Sequence, residues 1–500
     1  MAQRHMDRLT SFDTSFLANE KANAHMAIGA VLVCSGEPPA PADFLAHIRS
    51  RVHLLPRLRQ RLLYPPLGLG TPFWVDDHHF DVHNHVRRVS LPAPGGEAEL
   101  RALVGELLAP PLDRGRPLWE LTLVEGFAEE RFAIVYKTHH AMADGISAVD
   151  IGMLLFDVEP RPEPERSEAA WAPAPTPSRA GLARHAGAGL LGTFNRLWHY
   201  LRRAVSDPAR ARRRTGDGLA GLWEVGWNLA RPAPPVPFNT DIGRGRSFCW
   251  TEFDLAELKA IKDAAGGTVN DVSLAVAAGA LRGWLGERGV AVEGVELKAL
   301  VPVSIRTVDE HGELGNKLTA MRGPLPVGLA DPVERLRAVS VAMDALKDSK
   351  QPLGAEAIWG LNDWFRDFAP PLLLGPTAAI NFSTRLFNLL VTNFPGPQVP
   401  FYVLGRELTS IHPVGFLARR HALAIAILSY NGRVSFGVLA DPGALPDAER
   451  LTGHLDAALA ELRAATVGDA AQIPSAADGD DLAGDDRPRF ARERERLGGV

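Results

Sequence analysis

The chain holds 500 residues, of which 46% are apolar and 23% charged, with a formal net charge of −5. That length exceeds one ordinary core and implies two or three domains. The composition excludes wholesale disorder, and the charge excludes a generally basic nucleic-acid binder.

Two cysteines, Cys34 and Cys249, cannot build a disulfide framework or a thiolate metal cluster. Both lie in or near strand-like runs and are expected to be buried. A reducing, cytosolic setting fits. No stretch approaches the ~18 consecutive apolar residues of a spanning helix; the run Val272–Leu281 ends at Arg282. The N-terminus, MAQRHMDRLTSFDTSF, lacks the apolar core of a secretory signal.

In chain order, β-type segments are expected at Ala27–Val33, Leu118–Val124 and Phe132–Lys137, the last followed by a helix-like run to Phe156. Residues Glu159–Pro177 are rich in proline, acids and small side chains and read as a linker, which Arg231–Pro237 closes. Between these clusters, Arg179–Arg214 carries nine arginines and the single acid Asp207. Leu190, Phe194, Leu197, Trp198, Leu201 and Val205 recur there at helical spacing, an apolar stripe beside a basic face. Such a helix suits an anionic lipid surface, or a linker packed on its own protein.

Further on, Asp254 and Glu257 have the spacing of a capping box, and Asp331-Pro332 opens another helix. Leu423–Ser429 and Val434–Leu439 flank Asn431-Gly432, a strong hairpin signal. A closing helix carries Leu451, Leu455, Leu459 and Leu462. These readings place an N-terminal domain at 1–160, a linker at 161–240, a C-terminal domain at 241–467 and a disordered tail at 468–500. Each half mixes strands and helices.

The segment Lys137–Gly145, KTHHAMADG, carries the sharpest chemical signal. Adjacent side chains on an extended strand point to opposite sides, so His139 and His140 cannot share a role. One can face a reaction channel while the other packs or supports. An imidazole is the natural general base at neutral pH. Asp144 can fix the local turn, by reaching back or through an arginine, and Gly145 permits a close backbone approach. The string Asp76–His85, DDHHFDVHNH, offers four histidines and three aspartates, but they crowd one segment without zinc-site spacing. No metal is expected.

The pattern HHxxxDG resembles the active-site signature of the CoA-dependent acyltransferase superfamily. Within it, the segments PLWE (Pro117–Glu120), NDVSLA (Asn270–Ala275) and VPVSIR (Val301–Arg306) resemble those of the bacterial wax ester synthase/diacylglycerol acyltransferases. TNFPGP (Thr392–Pro397) resembles a fourth segment, with Thr392 and Phe394 departing from the commoner serine and valine. LTSFDTSFL (Leu9–Leu17) and PRLRQR (Pro56–Arg61) extend the likeness, which runs from about Asp7 to Ala465.

The resemblance implies an α/β fold of two chloramphenicol-acetyltransferase-like domains with mixed sheets and flanking helices, joined by the Pro/Arg-rich linker and meeting at a central channel. It implies His140 as the general base and His139 as its supporting neighbour. Asp144 would orient the loop through an arginine, for which Arg306 is a candidate. Asn270 would donate to the oxyanion of the tetrahedral intermediate, unless Asn270-Asp271 serve only as the cap and first turn of a helix. Gly145 and Asp271 would line the substrate site, and Trp119 would belong to the core.

The expected reaction is transfer of a long-chain acyl group from acyl-CoA, a co-substrate, to diacylglycerol, with no cofactor. A fatty alcohol is the alternative acceptor. A condensation-like domain fed by a carrier protein, or a non-catalytic lipid-droplet protein, are the competing functions. The expected location is cytoplasmic, with peripheral attachment to the inner face of the plasma membrane or to lipid droplets.

Overall fold

The computed structural model describes residues 6–21, 23–66, 71–142, 152, 156–160, 171–178, 180–182, 232–304, 318–348 and 382–468. The expected linker helix over 190–205 and the tail beyond 468 lie outside them. The N-terminal half runs β1 (Met6–Arg8), α1 (Ser11–Asn19), β2 (Ala27–Ser35), α2 (Pro41–Arg51), β3 (Gln60–Leu63) and β4 (Phe73–Asp76). It continues with β5 (Val86–Ser90), α3 (Glu97–Leu108), β6 (Trp119–Phe127) and β7 (Arg131–His139). The second half begins with β8 (Ser247–Asp254), α4 (Leu255–Ala265), α5 (Val269–Glu287), β9 (Leu297–Ser304), β10 (Leu318–Leu325) and α6 (Pro332–Asp348). There follow β11 (Leu389–Pro395), β12 (Phe401–Val403), β13 (Arg406–Val414), β14 (Leu423–Tyr430), β15 (Arg433–Ala440) and α7 (Arg450–Thr466).

Local chemistry explains several of these elements. Thr10 caps α1 by accepting the Asp13 N–H (3.0 Å). Asp331 Oδ1 accepts the Val333 and Glu334 N–H groups, both at 2.8 Å, and starts α6 as its sequence predicts. The β14–β15 hairpin turns on Asn431 (φ 44°) and Gly432 (φ 80°), both in the left-handed region that a tight two-residue turn requires. The capping box expected at Asp254 does not form. Asp254 sits at the cap position without a side-chain cap bond, and its carboxylate takes Arg433 Nη1 at 2.6 Å across the sheet.

The strands form two six-stranded mixed sheets, ordered β12-β13-β2-β7-β6-β5 and β10-β9-β11-β14-β15-β8, and a small sheet β1-β4-β3. β7 lies inside its sheet, antiparallel to both β2 and β6. The hydrophobic faces of α5, α6 and α7 pack together on the second sheet, and α5 is buried on most sides through Val272, Leu274, Val276, Leu281 and Trp284. No helix of the described residues is long and apolar enough to cross a membrane.

The two-half division does not anticipate one feature. β12 and β13 belong by position to the C-terminal half, yet β13 pairs with β2 and completes the N-terminal sheet. β13 also packs against β15 of the other sheet, so it joins the halves. At this seam His412 donates or accepts with Ser435 Oγ at 2.9 Å and stacks on Trp250 at 4.5 Å. A second clasp is Arg246, whose guanidinium holds the carbonyls of Gly243 and Gly245 and also that of Asn23 in the N-terminal half.

Gly437 marks how closely the seam is packed: a Cβ there would meet the Pro413 carbonyl oxygen at 1.9 Å. Because the opposing atom is backbone, Gly437→Ala is expected to cost about 3 kcal/mol or more. Gly453, on the exposed side of α7, meets nothing within 4 Å. Gly453→Ala should therefore gain about 0.5–1 kcal/mol through helix propensity. Urea melts of the two variants beside the parent check both signs.

Candidate active site

The two histidines leave β7 where its backbone is fixed on three sides. The His139 N–H donates to Leu118 O (3.0 Å), the His140 N–H to Met26 O (3.0 Å), and the Met142 N–H to His139 O (2.8 Å). Met26 is held at φ 47°, an uncommon conformation for a non-glycine residue, at the point where its carbonyl receives His140.

His139 points into the protein and is 1% exposed. Its Nδ1 accepts the Ala141 N–H at 3.0 Å, which assigns the ring proton to Nε2. Nε2 lies 3.4 Å from Glu20 Oε2, a close contact rather than a well-aligned hydrogen bond. Glu20 is gripped in turn by Arg114, whose Nε donates at 2.8 Å and whose Nη2 also reaches Leu17 O at 3.0 Å. Burial alone would raise the Glu20 carboxyl, but His139 and Arg114 outweigh it and hold it below the usual carboxylate range. Lys137 shares this face of β7. Its Nζ donates to the carbonyls of Leu107 and Pro110 at the C-terminal end of α3, where a cation is favoured. Burial pushes Lys137 down to about 8.

His140 faces the other way, into an aromatic box. The Phe16 ring stacks on the imidazole at 4.0 Å and 15°, and Phe416 meets it edge-on at 5.4 Å. Phe382 closes the group, 5.9 Å from Phe16 and 6.0 Å from Phe416. Phe16 comes from α1 and Phe382 and Phe416 from the second half, so the box exists only where the halves meet. Burial pushes His140 down to about 3, with the neighbouring His139 a smaller contribution in the same direction. Its Nδ1 has no hydrogen-bond partner among the described residues. Although the residue as a whole is half-buried, this surrounding favours the neutral imidazole.

The second signature sits at the start of α5, but its cap lies two residues before the expected one. Thr268 is the N-cap and Asp271 closes a capping box, with Thr268 N–H on Asp271 Oδ2 at 2.8 Å and Asp271 N–H on Thr268 Oγ1 at 3.2 Å. Ser340 Oγ also reaches Asp271 Oδ2 at 3.4 Å, and Asp271 is 1% exposed. The cap thus engages Asp271 and leaves Asn270 out of it. The Asn270 side-chain oxygen accepts from Asn393 Nδ2 at 3.1 Å, which directs its own amide donors elsewhere. Asn393 belongs to TNFPGP on β11, so this bond joins two of the sequence segments. Asp144, Gly145 and Arg306 lie outside the described residues.

The remaining candidates have structural surroundings. Trp119 is 1% exposed and donates its Nε1–H to Leu58 O at 2.8 Å. The Asp76–His85 string is dispersed: Asp76 accepts from Gln60 and the Ala174 N–H, His83 pairs with Asp81, and His85 stacks on Trp119. Among the described residues no group of three or more His, Cys, Asp or Glu is placed to hold a metal ion. Cys34 and Cys249 are both buried. Sequence reasoning gave no role to Phe16, Glu20, Arg114, Phe416, Asn393 or Lys137, although Phe16 and Asn393 lie within the segments LTSFDTSFL and TNFPGP.

Residues 9–273 match the wax ester synthase/diacylglycerol acyltransferase catalytic domain, and residues 314–463 the C-terminal domain of the same enzymes. A Mycobacterium tuberculosis protein named "Probable diacyglycerol O-acyltransferase tgs1" is 31% identical over 463 residues, covering 91% of this chain and 96% of that one. A second protein of that organism with the same enzyme name is 34% identical over 473 residues, covering 91% and 90%. The wax ester synthase/diacylglycerol acyltransferase of Marinobacter aquaeolei VT8 superposes with a TM-score of 0.62 at 28% identity, over 91% of this chain and 99% of that one. The starter condensation domain of rhizomide synthetase, solved with C8-CoA and Leu-SNAC, shares the fold at a TM-score of 0.57 and 15% identity, over 95% and 97% of the two chains.

The aromatic box accounts for the depressed basicity of His140, so opening it should reverse the shift. Phe16→Ala exposes the stacked face, and the His140 pKa should climb by more than about one unit toward ~6.5. Titration of histidine-labelled protein by NMR checks this, with His140→Ala identifying the resonance.

Proposed function

We propose that this chain, which belongs to the wax ester synthase/diacylglycerol acyltransferase family, makes triacylglycerol by moving a long-chain acyl group from acyl-CoA to the hydroxyl of diacylglycerol. The observation that carries the mechanism is the half-buried His140 imidazole, held toward its neutral form inside an aromatic box built by both halves. The acceptor hydroxyl gives its proton to the His140 imidazole as its oxygen attacks the thioester carbonyl. A tetrahedral intermediate forms, the C–S bond breaks, and the imidazolium returns the proton to the departing CoA thiolate. Protons balance, and no acyl-enzyme is needed. The Asn270 amide, turned by Asn393, is the proposed donor to the oxyanion. Asp144 and Gly145 complete the proposed site, and Asp271 supports it from the helix cap.

The apolar enclosure also favours an acceptor hydroxyl over water, which would merely hydrolyse the thioester. Diacylglycerol and long-chain alcohols both suit such a box, and the matched relatives carry both names. The acceptors are lipids, and the basic amphipathic stripe over 190–205 offers a route to an anionic membrane or droplet surface.

The test measures CoA thiol release with palmitoyl-CoA and diacylglycerol, and in parallel with hexadecanol. Acceptor-dependent release is expected, with His140→Ala lowering it by about 10²–10⁴-fold. The better acceptor decides between triacylglycerol and wax ester synthesis. No release from folded protein that binds lipid would favour a carrier-fed or non-catalytic function instead. The rate should also be insensitive to mild acid. A base depressed to about 3 stays unprotonated, so kcat/KM should be level between about pH 5.5 and 8. A fall centred near ~6.5 would show that the imidazole is solvated before substrate binds.

A further inference from the structure

We infer that Glu20 is a positioning residue for the transfer, acting through His139 on the His140 base; the inference rests on the reading of His140 as that base. Glu20 stands at the C-terminal end of α1, where its own N–H donates to Phe16 O at 3.0 Å. From that position it bears on both sides of His140. On one side it anchors the helix that carries Phe16, the ring stacked on the imidazole. On the other, its Oε2 lies 3.4 Å from His139 Nε2, inside the turn that delivers His140.

The contact has a defined chemical content. His139 can accept the Ala141 N–H only while Nδ1 is unprotonated, so the ring must carry its proton on Nε2. A carboxylate facing Nε2 favours that tautomer. In the other tautomer Nδ1–H would oppose the Ala141 N–H, and the turn of residues 139–142 would lose one of its bonds. The imidazole of His140, one residue along, would then shift against Phe16 and Phe416. Arg114 keeps Glu20 ionised and aimed, and ties it to Leu17 O in the last turn of α1. Lys137 adds positive charge within reach of the same carboxylate.

A purely structural ion pair between Glu20 and Arg114 makes a different prediction, which allows a test. Glu20→Ala and Glu20→Gln are compared with the parent for palmitoyl-CoA and diacylglycerol turnover, and by ¹⁵N NMR of histidine-labelled protein, with a His139→Gln sample assigning the resonance. Glu20→Ala should lower kcat about 10–100-fold with KM for palmitoyl-CoA changed less than about twofold. Glu20→Gln, whose amide oxygen can still face Nε2–H, should recover to within about fivefold of the parent. The parent should show His139 in the Nε2–H form, and Glu20→Ala a mixture of tautomers. The inference is overturned if the parent carries its proton on Nδ1. It is equally overturned if Glu20→Ala keeps the parent kcat, or if both variants lose kcat alike with a matching fall in Tm. A parent without turnover would defeat the reading of His140 as base, while the tautomer of His139 would still decide the Glu20 contact.

Discussion

Successive residues of an extended strand face opposite sides, and at the end of β7 this alternation allots two histidines to two environments. The register of β7 is fixed on both edges, with Ala27 opposite His139 and Trp119 opposite Thr138. A slip of one residue would exchange the two faces entirely. Lys137 and His139 share the inner face, where a buried polar group without a partner is costly. The lysine donates to helix-end carbonyls, and the histidine accepts the Ala141 N–H while its Nε2 faces Glu20. The opposite face carries His140 into the aromatic box.

The aromatic box needs a second constraint, because its rings come from distant parts of the chain. Phe16 precedes β2, while Phe416 follows β13, and β2 and β13 are hydrogen-bonded neighbours. The crossover of β13 thus brings the two rings to His140 through backbone pairing rather than through side-chain contacts alone. The same strand packs on β15, where the Pro413 carbonyl fills the space that any side chain at 437 would need. A seam of that closeness moves as one piece, so the imidazole and its walls keep their relation. Arg246 reinforces it by binding the Asn23 carbonyl in the loop between Glu20 and Met26.

What the sequence revealed of this arrangement follows from the range of each interaction. Local rules located β7, the β14–β15 hairpin and the Asp331 cap, since each depends on residues within a few positions. At Asp254 a local rule failed because a cross-strand arginine, 179 positions away, competed for the carboxylate. At α5 the cap was misplaced because Thr268 and Asn270 are both competent caps, and the reciprocal bond to Asp271 selects the former. The HHxxxDG resemblance identified the family and the histidines. It gave no access to Glu20, Arg114 or Phe416, whose contacts with the site span between 94 and 276 positions or depend on the crossover. Nor did any pattern announce the crossover itself, since nothing within Arg406–Val414 specifies which strand it pairs with.

The box imposes opposing demands on the chemistry. An imidazole shielded by phenylalanine rings is a poor base toward water, and general-base catalysis favours a pKa near the working pH. The depression applies to the isolated cation, however, because what burial penalises is an unpaired charge. When the hydroxyl oxygen attacks, the imidazolium forms beside a developing oxyanion, and the pair is stabilised more strongly in an apolar cavity than in water. The walls that weaken His140 in the resting protein thus strengthen its interaction with the transition state, while they exclude competing water. Such a base depends on accurate placement more than on intrinsic basicity. That dependence gives physical meaning to the network of Glu20, Arg114 and His139 behind it.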